Sequence, residues 1–136
     1  MNKRKGEVKI IIFAGGSDPL RKRLHLVISM HLALYKIEVC PTIAALSRRL
    51  RRSLDPLIIV LLITRREDLD AIMGLRELLN DRRLILILPD DNPDELTMAH
   101  ALRPRFITYR DRDFLDVSAV LGRMIALQDR DAPLLP

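Results

Sequence analysis

Leu57-Ile58-Ile59-Val60-Leu61-Leu62-Ile63 is the stretch on which the fold turns. It holds no polar position, so neither of its faces suits water. It follows the breaker Asp55-Pro56 and is short for a buried helix, so it reads as a strand covered on both sides. Continuous apolar strands of this kind belong to parallel sheets enclosed by helices. Four more apolar runs of strand length flank it: Val8–Phe13, Tyr35–Val39, Leu84–Leu88 and Phe106–Tyr109. Lys36-Ile37-Glu38-Val39 alternates and is short, which suits a sheet edge.

The segments between these runs have helical periodicity. Leu20, Leu24, Val27, Ile28 and His31 share one face, with Ser17 or Asp18 as cap and Pro19 in the first turn. Thr42 can cap a helix carrying Ile43, Leu46 and Leu50. Glu67–Leu79 is predicted as one helix through Leu69, Ile72, Met73, Arg76 and Leu79. Leu96, Ala99, His100 and Leu102 follow the acidic start Asp90-Asp91-Asn92-Pro93-Asp94-Glu95, which suits a positive helix N-terminus. The last helix runs from about Asp113 through Phe114, Val117, Val120, Leu121, Met124 and Ile125. Five strands joined by helical crossovers of one hand predict an α/β three-layer sandwich. Its five-stranded parallel sheet has the flavodoxin-like order 2-1-3-4-5.

The length of 136 residues fits one domain, 1–136, with a core at about 7–127 and frayed tails at 1–6 and 128–136. Tryptophan is absent, so Leu, Ile and Val must build the core. The single cysteine, Cys40, excludes an intrachain disulfide and reads as a small buried hydrophobe. The basic start Met1–Gly6 precedes an apolar run too short for a signal peptide or a membrane span. A cytoplasmic location without membrane contact is therefore expected. Charge is uneven. Met1–Arg66 carries fourteen cations against four acids, a net +10, while Glu67–Pro136 carries a net −5. Such a dipolar surface steers an acidic partner, a nucleic acid or a second copy.

In this architecture ligands gather at the carboxyl ends of the strands. Those ends read Ala14-Gly15-Gly16-Ser17, Leu61-Leu62-Ile63-Thr64, Leu88-Pro89 and Thr108-Tyr109. None carries an acid. The element spacing from Val8 to Leu127, with Asp18-Pro19-Leu20, Leu54–Leu62 and Phe106-Ile107-Thr108-Tyr109, resembles the receiver domain of response regulators in bacterial two-component signalling. The resemblance implies a set of phosphotransfer positions: a phosphoacceptor Asp after the third strand, two Mg²⁺-binding acids after the first, a Thr or Ser after the fourth and a Lys after the fifth. Here the acceptor position falls on Leu62, and the acid pair on Ala14-Gly15 or Gly16-Ser17. The hydroxyl position falls on Leu88 or Pro89 and the Lys position on Tyr109. A divalent ion needs hard oxygen ligands, and a transferred phosphoryl group needs positive charge around it. The reading is a pseudo-receiver, not an enzyme, without cofactor or metal.

The expected role is a signalling module that binds protein. The family resemblance points to the last helix pair and fifth strand, here Leu96, His100, Phe106, Tyr109, Arg110 and Arg112. Arginines 103, 105, 110 and 112 near Asp111, Asp113 and Asp116 would suit a self-complementary homodimer. One alternative is a nucleotide- or anion-binding domain using the backbone of Gly15, Gly16 and Ser17, with Thr64 and Tyr109 lining the cleft. The other is a nucleic-acid accessory protein using Arg21, Lys22, Arg23, Arg48, Arg49, Arg51 and Arg52. No aromatic residues are interleaved with these cations for base stacking, which disfavours nucleic acid. His25, His31 and His100 lack metal-ligand spacing, and Asp90, Asp91, Asp94 and Glu95 lack that of a calcium loop.

Overall fold

The computed structural model describes residues 9–16, 18–33, 35–52 and 57–131. Five strands, β1 (Lys9–Ala14), β2 (Lys36–Cys40), β3 (Leu57–Leu62), β4 (Arg83–Leu88) and β5 (Phe106–Tyr109), form one sheet. Its order is β2-β1-β3-β4-β5, and every neighbouring pair is parallel. The expected three-layer, receiver-like sandwich is therefore the observed one. The all-apolar β3 lies in the middle of the sheet, and the alternating β2 lies at an edge.

Side-chain alternation divides the core in two. Ile10, Ile12, Ala14, Ile58, Val60, Leu62, Ile85 and Ile87 pack under α1 (Asp18–His31) and α6 (Leu115–Asp131). Ile11, Phe13, Ile59, Leu61, Ile63, Leu84, Leu86 and Leu88 face the opposite layer. That layer holds α2 (Ile43–Arg52), α3 (Arg66–Met73), α4 (Arg76–Leu79) and α5 (Pro93–Ala101). Burying each of these Leu or Ile side chains is worth about 1.5–3 kcal/mol, which is what fixes the central strands in register.

Two helix starts follow the sequence reading. The Ala45 N–H donates to Thr42 Oγ1 at 3.0 Å. Asn92 Oδ1 accepts from the N–H groups of Asp94 and Glu95 at 2.9 and 3.2 Å, with Pro93 as the first helical residue. Ser17, the other candidate cap, lies outside the described residues, as do Val8, Leu54–Pro56 and the tails 1–6 and 132–136.

Two expectations need correction. The predicted helix over Glu67–Leu79 is two helices, α3 and α4. Gly74 N–H donates to Ala71 O at 3.1 Å and Leu75 N–H to Ile72 O at 2.8 Å, so the chain tightens there and restarts at Arg76. The last helix continues to Asp131, beyond the expected end of the core at residue 127. Among the described residues no helix is long and apolar enough to cross a membrane.

Candidate functional site

Parallel strands bring all five carboxyl ends to one rim, where the register fixes which side chains stand side by side. Ala14 pairs with Leu62, Leu62 with Ile87 and Ile87 with Thr108. Ala14, Leu62 and Ile87 point into the α1–α6 side of the core and are buried. Along the same rim Ile63 and Leu88 are buried toward the other layer, and Tyr109 packs beside them. Ala14, Leu62, Ile87, Ile63 and Leu88 thus bring hydrocarbon to this rim. The exception in this row is Thr108, whose hydroxyl donates to Asp116 Oδ2 at 2.6 Å.

The Gly15-Gly16 loop is shaped by close approach. A Cβ on Gly15 would sit 3.2 Å from the Phe13 ring, 3.4 Å from the Pro41 carbonyl and 3.5 Å from Asp68 Oδ2. Gly16 has φ +100, a conformation that glycine adopts at no steric cost. Thr64 Oγ1 donates to the Gly15 carbonyl at 3.0 Å, which ties the β1 and β3 loops together. Asp68 is buried in the first turn of α3. Its Oδ1 accepts from the exposed Arg65 at 3.2 Å, and its Oδ2 has no hydrogen-bond partner among the described residues. Tyr109 lines a hollow of about 280 Å³ with Pro89, Asp90, Asp91, Asp111 and Arg112.

At the β5 edge, His100, Arg110 and Arg112 are exposed, while Leu96, Phe106 and Tyr109 are half-buried. Strand alternation separates the aromatics. Phe106 packs toward α1 and α6, whereas Leu96 and Tyr109 pack in the other layer. Two of the three acids expected to face a second copy are engaged within the chain. Asp116 holds Thr108, and Asp113 Oδ1 accepts the Leu115 N–H at 3.0 Å. Asp111 is exposed.

The basic residues do not form one patch. Leu24 and Ile28 anchor α1 on one side of the sheet, and Leu46 and Leu50 anchor α2 on the other. Arg21, Lys22 and Arg23 are thereby separated from Arg48, Arg51 and Arg52. Arg49 is buried and gives two parallel hydrogen bonds to Glu38, Nε to Oε2 at 2.9 Å and Nη2 to Oε1 at 3.1 Å. The Arg49 hydrogen bond holds the Glu38 carboxyl below its ordinary range, against the opposing effect of burial. Arg23 turns toward α6, donating to the Arg112 carbonyl at 2.9 Å with its guanidinium 4.7 Å from the centre of the Phe114 ring. Phe114 is fully buried at φ +66, a left-handed backbone that bulky residues seldom adopt.

His25 Nδ1 lies 3.4 Å from Ser29 Oγ, His31 Nδ1 lies 3.0 Å from the Val27 carbonyl, and His100 is exposed on α5. Cys40 is buried, and that burial raises its thiol pKa, with the Glu38 charge adding to the effect. Among the described residues no group of three or more His, Cys, Asp or Glu is placed to hold a metal ion.

The sequence reading missed Asp68, the Glu38–Arg49 pair and the Thr108–Asp116 bond. Arg49 had a signal, because it lies three residues after Leu46 and one before Leu50 and so shares their buried side. Asp68 and Asp116 gave none, since acids in the first turn of a helix are commonplace on a solvated surface.

No protein-family model matches the sequence, and no curated protein does. Solved structures do match. One is the signal receiver domain of the response regulator NarL from Mycobacterium tuberculosis, with a TM-score of 0.64 and 15% identity over 89% of this chain and 98% of that chain. Another is a chain in which residues 181–211 of the yeast Spc42 trimeric coiled coil are fused to another protein. It gives a TM-score of 0.66 and 11% identity over 93% of this chain and 84% of that one. At such identities the likeness is one of architecture: this chain has the flavodoxin-like fold of a receiver domain.

Proposed function

We propose that this chain is a receiver-like signalling module that acts by binding protein and has no phosphotransfer chemistry of its own. The row Ala14, Leu62 and Ile87 carries the reading, because hydrocarbon stands at the rim where phosphotransfer needs a carboxylate and a held cation. The contact surface in this proposal is the β5 edge, with exposed His100, Arg110 and Arg112 beside half-buried Leu96 and Tyr109. A mixed patch of this composition, an aromatic and arginines around a small apolar centre, has the make-up of protein interfaces. A second copy of the chain or another signalling protein would occupy it.

Two measurements test the proposal together. Incubation with labelled acetyl phosphate and Mg²⁺ leaves the protein unlabelled, and incorporation of one phosphoryl group per chain would overturn the inert-rim reading. Size-exclusion chromatography with light scattering, and capture from the native cell, compare the protein with an Arg110→Glu/Arg112→Glu variant. Self-association or a specific partner is lost in the variant. A wild-type protein that stays monomeric and captures nothing, or a variant that retains every partner, refutes the surface assignment.

A further inference from the structure

The opposite end of the sheet carries a second, differently built surface. An open groove of about 870 Å³ runs between α1 and the β2 edge, lined by Arg21, Lys22, His25 and Leu26 on the helix and by Val39 and Pro41 on the strand side. Leu26 is 58% exposed, and Met30, one helical turn further along α1, is 69% exposed. Of the large hydrophobics exposed among the described residues, three of five (Leu26, Met30 and Val39) stand at this one end. Scattered apolar residues on a surface need no explanation, but apolar residues gathered along a concave edge do.

We infer that this groove docks an acidic amphipathic helix of a partner protein, apolar side chains in the groove and carboxylates on its rim. The charge of the site selects the sign. None of the described lining residues is acidic, and exposed Lys22 flanks the apolar floor beside Arg21, which also has an interaction within the chain. The acid on β2, Glu38, is bound to Arg49 of α2 in the layer across the sheet. The length of the site selects the form. From Arg21 to Ser29 along α1 the groove extends about 12 Å, room for roughly two turns of helix and anchors at i, i+3 or i+4, and i+7. Strand addition is less suited, because charged Lys36 and Glu38 alternate along β2, as edge strands that resist pairing do. An anionic membrane is less suited as well, because the apolar residues line a hollow with half-buried His25 and Ser29 in it. The groove stands independently of any contact at the β5 edge.

The test is an NMR titration of the full chain with a synthetic peptide of about four helical turns, Leu at i, i+4 and i+7 and Glu on the flanks. The same peptide with Lys for Glu, and anionic phosphatidylglycerol vesicles, serve as the other arms. The acidic peptide is expected to shift the resonances of Leu26, Ser29 and Val39 saturably, and to weaken at least about tenfold on raising salt from roughly 50 to 300 mM. Arg21→Glu/Lys22→Glu and, separately, Leu26→Asp each lower its affinity by about tenfold or more. Both variants change surface side chains, and an unchanged melting temperature verifies that they fold. Equal binding of the two peptides, shifts elsewhere on the molecule, no binding, or preference for the vesicles would each overturn the inference.

Discussion

Replacing Glu38 with alanine tests whether the β2 edge is held to α2 by charge. The substitution removes an acceptor of two hydrogen bonds, at 2.9 and 3.1 Å, and leaves the Arg49 guanidinium without its carboxylate. The two partners are not equivalent. The Arg49 side chain is 6% exposed and cannot recover hydration, whereas that of Glu38 is 30% exposed and can. Breaking a fully buried pair costs about 3–5 kcal/mol, and losing a hydrogen bond to a charged group about 1.5–3 kcal/mol. Because Glu38 is partly solvated and Arg49 makes a further interaction, the expected loss for Glu38→Ala is about 2 kcal/mol, toward the lower of those ranges. Arg49→Met, which fills similar volume and leaves only a hydrated carboxylate, costs about 1 kcal/mol or less. The double variant costs less than the sum of the two, by about 1 kcal/mol or more.

The pH dependence has a definite sign. The Arg49 hydrogen bond lowers the folded-state pKa of Glu38. The pair's contribution is therefore full above the unfolded carboxylate pKa and is lost as pH falls through the lower folded value. Urea unfolding followed by far-ultraviolet circular dichroism suits a chain without tryptophan. The gap between wild type and Glu38→Ala is widest near neutrality and closes below about pH 4. A gap under about 0.5 kcal/mol at pH 7, or one that stays constant into acid, would refute the assignment.

Three further outcomes follow from the rim and the loops. Leu62→Asp, which puts an acid where the proposed reading sets the acceptor position, buries a charge in the apolar α1–α6 side of the core. It costs more than about 3 kcal/mol and gains no label from acetyl phosphate; a stable, labelled variant would refute this. Gly16→Ala places a Cβ 3.0 Å from Thr64 Oγ1 at φ +100, so denaturation shows a loss of about 1–3 kcal/mol; no loss would mean that the loop can change conformation. Arg23→Ala removes the bond to the Arg112 carbonyl and the contact with Phe114. It lowers stability by about 1 kcal/mol and speeds amide exchange between Arg112 and Leu115, and unchanged exchange there would count against this tie.

The layers and strand order were legible because they rest on the lengths of apolar runs. Leu57–Ile63 has no polar face and must be central, and Lys36–Val39 has one and must be lateral. The break at Gly74 was hidden, because Ile72, Met73, Arg76 and Leu79 keep helical spacing across it. The apolar side chains of Ala14 and Leu62 at the rim were legible from the runs that end in them. What surrounds that rim was not. Asp68 reaches the Gly15 loop only after α3 has folded over the sheet, and Glu38 meets Arg49 only across the β2–α2 packing. Contacts between distant elements leave no period in a sequence. The concave strip beside β2 was equally silent, because Leu26 and Val39 look like ordinary members of their own elements until the fold places them along one groove.

Cys40 closes β2 with its sulfur inside the protein and its ionisation suppressed by that burial. A thiol so placed is expected to react with a disulfide reagent chiefly in molecules whose border strand has momentarily lifted away. Since the chain holds no other cysteine, the reagent's kinetics report that single event, with no engineered label. Nature has installed a stopwatch at the margin of the sheet, and its rate separates fraying of this border from collapse of the whole domain.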